Sequence, residues 1–137
     1  MNAKRSRPHP VLTSAAAQLF VADVPAACAY FTGKLGFSVD FVYGEPPYYA
    51  QVSRDEALLA LRFVCEPVFA GDVRERAALL SASITVATAD EINRLFADFE
   101  GAGARFYQAI EKQPWGAVTF IVVDPDGNLI LFAGPAD

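Results

Sequence analysis

Few residues in this chain have side chains suited to chemistry, and most are badly spaced for it. His9 is the sole histidine, set in the N-terminal stretch MNAKRSRPHP. No other imidazole exists to form a Ser–His or Cys–His pair, so nucleophilic catalysis of the usual kind is excluded. Cys28 and Cys65 show neither CxxC spacing nor a nearby histidine. They are expected to be free, buried thiols in a reducing cytoplasm. No GxGxxG or P-loop spacing is present. Gly101-Ala102-Gly103 follows a helical stripe and reads as a helix C-cap. Asp124 and Asp126 have the look of a cation loop, but Asp-Pro-Asp-Gly-Asn puts every residue type in a favoured turn position, so a turn is expected. Arg62 is the most informative charge because it interrupts an apolar strand-like run. Facing inward, it would hold a carboxylate or phenolate; facing outward, it is an edge residue.

The elements that must position these residues recur. Ala15–Val21 reads as a strand. Asp23 is a good N-cap with Pro25 in the first turn, Ala27, Tyr30, Phe31 and Leu35 give a helical stripe, and Gly36 ends it. Strands follow at Phe37–Tyr43, Tyr48–Ser53 and Ala57–Val64, separated by Gly44-Glu45-Pro46-Pro47 and Arg54-Asp55-Glu56. The pattern then repeats. Ser81–Ala87 is a strand, Thr88-Ala89-Asp90-Glu91 has capping-box form, and Ile92, Leu95, Phe96 and Phe99 make the stripe. Strands at Ala104–Ala109, Ala117–Val123 and Leu129–Ala133 complete it. Asp23 aligns with Asp90 and Gly36 with Gly103 at one offset, which marks a duplicated supersecondary unit. The expected organisation is one domain, 1–137, with a first βαβββ unit at 15–64, a connecting segment at 65–80 with room for a helical turn at Val73–Leu80, and a second unit at 81–133.

Apolar residues make up 53% and charged residues 20% of the chain, which permits a packed core. The net charge of −5 argues against a nucleic-acid partner and mildly favours neutral or cationic small ligands. No apolar run approaches the roughly 20 residues needed to span a bilayer. No signal-type apolar segment follows the basic start, so Lys4, Arg5 and Arg7 read as a frayed terminus. The expectation is a cytoplasmic protein without a membrane partner.

The duplicated unit, with VADV at 21–24, YFTGKLGF at 30–37, GAGARF at 101–106, QPWG at 113–116 and DPDGNLI at 124–130, resembles the vicinal-oxygen-chelate superfamily. That superfamily includes glyoxalase I, extradiol dioxygenases and bleomycin-resistance proteins. Within it, FTGKLGFSVDFVY and QPWGAVTF…DPDGNLILF are most similar to the bleomycin-resistance type. The resemblance implies an α+β fold in which the two units form cup-shaped mixed sheets, and a homodimer whose cups are built within one chain or across a swapped pair.

By the same resemblance, a metal would be held by His, Gln or Glu on the first strand of each unit and on the last strand. Those positions carry Ala16, Ser83 and Leu131, and the first-unit counterpart of Leu131 falls at Ala60 or Arg62. None replaces a carboxylate or imidazole, so no cofactor is expected. The implied function is metal-free binding of a small aromatic or cationic metabolite or antibiotic. Its site residues are Gln18, which shares the Ala16 face, with Phe41, Tyr48, Arg62, Tyr107 and Trp115. Phe20, Tyr49, Phe63 and Phe120 are further rings that line either the cup or the core. Competing readings are a metal-dependent lyase, isomerase or dioxygenase with unconventional ligands, and a regulatory domain with a vestigial cup.

Overall fold

The computed structural model describes residues 9–137; Lys4, Arg5 and Arg7 lie outside the described residues. The elements run β1 (Ala17–Val21), α1 (Val24–Leu35), β2 (Ser38–Tyr43), β3 (Tyr49–Arg54), β4 (Ala57–Phe63), α2 (Val73–Arg76), β5 (Ala82–Thr85), α3 (Ala89–Gly101), β6 (Phe106–Lys112), β7 (Ala117–Val123) and β8 (Leu129–Pro135). They form two four-stranded sheets of the same topology, β1-β4-β3-β2 and β5-β8-β7-β6. In each, the first strand pairs parallel with the fourth and the remaining pairs are antiparallel.

Local chemistry explains the boundaries. The Asp23 carboxylate accepts from the Ala26 amide at 2.9 Å, and Gly36 takes the left-handed conformation (φ 72°) that releases the chain from α1. Val24, Ala27, Cys28, Phe31 and Leu35 are buried, the spacing of one helical face. Thr88 caps α3 by accepting from the Glu91 amide at 3.1 Å. Asp90, aligned with Asp23 by the sequence offset, therefore lies in the first turn of α3, where its charge favours the helix N-terminus. Strand β6 begins at Phe106 because the Ala104 amide is still bonded to Phe99 O at the helix end. It runs on to Lys112 because its ladder with β7 continues through Glu111 and Lys112.

One apolar core serves both units. Leu19, Val21, Phe31, Leu59 and Leu61 from the first join Ile92, Phe99, Phe120, Val122, Ile130 and Phe132 from the second in a single cluster. Phe120, read as a ring of either core or cup, belongs to the core: it is fully buried and stacks on Phe132 with centroids 5.2 Å apart. Each such side chain contributes about 1.5–3 kcal/mol through burial. Helix α3 approaches β8 so closely that a Cβ on Gly134 would stand 2.8 Å from Ile92 Cβ. Cys28 is buried, which pushes its thiol up, whereas Cys65 is exposed because it lies beyond the end of β4.

The most extensive polar link between the units among the described residues is the Asp124–Asn128 turn. Asn128 Nδ2 donates to Phe20 O in β1 at 3.1 Å and to Asp124 Oδ2 at 2.9 Å. Asn128 Oδ1 accepts from Arg74 Nη1 at 3.1 Å and Ser81 Oγ at 3.2 Å. The Ala22 amide donates to Asp126 Oδ1 at 2.9 Å. Asp124 Oδ1 accepts from the Asp126 and Asn128 amides. Asp124 and Asn128 are both buried.

Asn128→Ala leaves several of these buried groups without partners and is expected to lower unfolding free energy by about 3 kcal/mol. Urea unfolding measures this, and a loss below about 1 kcal/mol would show the node to be dispensable. Burial raises the Asp124 carboxyl from 3.8 to about 6, and the hydrogen bonds from Asn128 and Asp126 restrain the rise. The native state thus keeps this proton where the unfolded chain loses it. The group's contribution to stability is complete below about pH 4 and is lost as pH rises through about 6. The stability of the wild type relative to Asp124→Asn should fall by about 2 kcal/mol between pH 4 and pH 7. A constant difference across that interval would contradict the assignment.

Candidate functional site

Strand alternation divides the first sheet into two chemically distinct faces. Leu19, Val21, Ala50, Val52, Leu59 and Leu61 are buried toward the core. Gln18, Phe20, Tyr49, Gln51, Ala60 and Arg62 therefore share the opposite face. The ladder sets them in cross-strand ranks. Phe20, Arg62, Tyr49 and Tyr43 form one, and Gln18, Ala60, Gln51 and Phe41 the next. Phe41 lies 5.2 Å from Tyr43 and 6.0 Å from Tyr49, between ring centroids. Gln18 Nε2 reaches the Tyr49 hydroxyl at 3.4 Å. Asp40, at the β2 bulge, accepts from Gln51 Nε2 at 2.8 Å and Ser53 Oγ at 2.9 Å. All six residues of β2 are exposed, so the aromatic face is open at its edge.

The second sheet presents a different lining. Ser83 stands opposite Leu131 and Thr85 opposite Ala133. Buried Thr119 accepts from Gln108 Nε2 at 3.0 Å and Gln113 Nε2 at 2.9 Å, and Gln113 also donates to Glu111. This face offers amides, hydroxyls and the Glu111 carboxylate where the first offers rings and a guanidinium.

Of the six residues singled out from sequence, the structure gathers three on one face: Gln18, Phe41 and Arg62. Tyr48 sits on the β2–β3 turn with its ring over Gly44, where a Cβ would meet it at 2.1 Å. It is Tyr49 that shares the face of Gln18 and Phe41. Tyr107 donates its hydroxyl to Glu75 O at 2.6 Å and so fastens β6 to the connecting segment. Trp115 is 74% exposed on the β6–β7 turn. Tyr49 was legible in principle: Ala50 and Val52 are the apolar alternates of β3, which leaves Tyr49 with Gln51 and Ser53 on the other face. Tyr43, two residues beyond Phe41, was legible by the same alternation and was missed, whereas Asp40 was hidden by the bulge between Val39 and Phe41.

A groove of about 1040 Å³ runs between the units, lined by Ala16, Leu58, Ser83, Thr85, Arg54 and Phe99 among others. It holds residues at the positions where the resemblance placed metal ligands. The pairing of Ala17 with Leu59 sets Ala16 beside Leu58, matching Ser83 beside Leu131. The first-unit counterpart of Leu131 is thus Leu58, and neither Ala60 nor Arg62 as the sequence suggested. Among these four residues the one donor is the Ser83 hydroxyl, a poor ligand for a divalent ion. Among the described residues no group of three His, Cys, Asp or Glu side chains is placed to hold a metal. The donor set does not fit such a cofactor. Gln18, Phe41, Tyr48, Arg62, Tyr107 and Trp115 all lie outside this groove. Among the described residues no helix is long and apolar enough to cross a membrane.

Comparison with known proteins agrees with this geometry. No curated protein sequence matches the chain. Solved structures do, at identities that speak for the fold alone. TioX from Micromonospora sp. ML1 is 21% identical with a TM-score of 0.68, over 90% of this chain and 99% of that one. A glyoxalase/bleomycin resistance protein/dioxygenase from Alicyclobacillus acidocaldarius is 18% identical with a TM-score of 0.75, over 91% and 92%. The bleomycin-binding protein of bleomycin-producing Streptomyces verticillus, solved with copper(II)-bleomycin, is 22% identical with a TM-score of 0.67, over 94% and 100%. The sequence profile of one family matches residues 13–132, nearly the whole described chain, and with the paired sheets and their shared topology it establishes that the protein belongs to the Glyoxalase/Bleomycin resistance protein/Dioxygenase superfamily.

Proposed function

We propose that this chain binds a small planar aromatic molecule and holds it without transforming it. The observation that carries this reading is the cluster of exposed Phe41 and Tyr43 with half-buried Tyr49 on the first sheet, in a chain whose described residues place no group of three His, Cys, Asp or Glu side chains to hold a metal. Flat rings left open to water on a rigid sheet favour stacking, worth about 0.5–1.5 kcal/mol beyond burial. The fold is shared with a protein solved in complex with copper(II)-bleomycin, which supports a sequestering role. The open face of each sheet and the exposed β2 edge support a homodimer in which a unit of each chain completes a cup.

Native mass spectrometry reads two parts of this proposal together. The expected species is twice the 14.8 kDa chain mass with no bound metal. A monomer would remove the paired cup, and a full equivalent of Fe, Mn, Ni or Zn would return the metal-dependent enzyme reading.

Calorimetric screening of planar heteroaromatics and bleomycin-type glycopeptides tests the binding itself. Tyr49→Ala is expected to weaken an aromatic ligand about five- to tenfold with an unchanged unfolding midpoint. Unchanged affinity would remove this face from the site, and no binding by any compound of either class would count against sequestration.

A further inference from the structure

The first-sheet face holds one cation, and its surroundings fix the kind of ligand it suits. Arg62 occupies an interior strand, β4, between Phe20 of β1 and Tyr49 of β3 in the same rank. Neighbouring strands lie about 5 Å apart, so the Arg62 side chain leaves the sheet between two positions that each carry an aromatic residue. Among the described residues the ion pairs are Arg76–Asp72 and Arg94–Asp90, and Arg62 takes part in neither. It makes no side-chain hydrogen bond to a described residue either. Its planar fork of donors is thus spent on no described residue, and the neighbouring positions of its rank carry aromatic residues.

The acids nearby do not cancel it. Asp40 is the acid on this face, and both its oxygens are engaged by Gln51 and Ser53. It sits on β2, two strands from Arg62 and so about 10 Å away, comparable to the screening length of ordinary salt. Glu45 lies beyond β2 on the β2–β3 turn, and Glu66 lies in the connecting segment. The net charge of −5 acts from a distance through screened solvent and influences encounter more than the bound complex.

We propose that the ligand of this face is an anion: a planar aromatic acid whose carboxylate is held by the two-pronged Arg62 guanidinium while its ring lies along Tyr49, Tyr43 and Phe41. This rests on the binding reading above and narrows it, against the cationic ligand that the overall charge favours. A carboxylate pairs with guanidinium through two parallel charge-assisted hydrogen bonds, and an amide of the same shape gains no such pair.

The test is a charge series on one ring system, titrated calorimetrically into the full chain at physiological salt: 2-naphthoate, 2-naphthamide and 2-naphthylmethylammonium. Naphthoate is expected to bind at least tenfold more tightly than the amide, and the ammonium most weakly. In Arg62→Gln the naphthoate advantage should vanish while amide affinity is unchanged, and Arg62→Lys should restore part of it. Equal binding of acid and amide, tightest binding of the ammonium, or equal weakening of acid and amide by Arg62→Gln would overturn the charge assignment and leave the aromatic-binding reading standing. Absence of saturable binding by all three at millimolar concentration would overturn both.

Discussion

The two units are held in register by one buried side-chain amide. Asn128 has two donors and two acceptor sites, and all four are used: Phe20 O and Asp124 on one side, Arg74 and Ser81 on the other. Phe20 lies near the end of β1, and Ser81 immediately precedes β5. The first strands of both units are thus tied to a single residue, β1 by its exit and β5 by its entry. The groove lined by Ala16 and Ser83 depends on that arrangement. No other side chain serves as well at this place. Aspartate would set a second carboxylate against Asp124, and leucine would leave Phe20 O and the Asp124 oxygen facing an apolar wall. The expected turn at Asp124–Asn128 spends its carboxylates on backbone amides and on the Asn128 side chain.

Asp124 shows the cost of this construction. Its carboxylate is taken out of water, and burial, with the nearby Asp126 charge, raises its proton affinity. The amides of Asp126 and Asn128 compensate in part, since hydrogen bonds to the charged form favour it. The joint between units is consequently also the place where solution pH acts most directly on stability.

The layered pattern of this fold was readable because each local signal agreed with the next. Asp23, Pro25 and Gly36 bracket α1, Thr88 and Glu91 open α3, and the repeated order of elements announced the duplication. What escaped was register. Strand pairing decides which residues stand abreast, and no single-strand pattern contains that information. Hence the counterpart of Leu131 is Leu58, two residues from Ala60 and four from Arg62, the positions the sequence offered. Bulges in β2 and β6 had a similar effect. They shift side chains between faces, which brings Asp40 toward Gln51 and Ser53 and lets Tyr107 turn to Glu75. Arg62 illustrates the same boundary. Its apolar context showed it to be unusual, but only the pairing with Phe20 and Tyr49 established which way it faces.

The duplication has produced unlike halves, and the difference is a physical one. Matching positions of the two open faces carry Gln18 and Thr85, Gln51 and Thr119, Phe41 and Glu111. One sheet offers polarizable rings and a delocalised cation, surfaces that gain most from flat, electron-rich partners. The other offers Gln108, Gln113 and Thr119, already bonded to one another and so fixed in direction. A fixed amide discriminates by geometry, whereas a ring tolerates many partners that lie flat. A ligand bridging two such faces would draw affinity from the first and orientation from the second. Two identical faces would allow it to bind equally well in reverse. Ala16, Leu58, Ser83 and Leu131 carry no imidazole or carboxylate that could hold a metal and so impose orientation from the centre. The asymmetry of the faces is what remains to impose it from the walls.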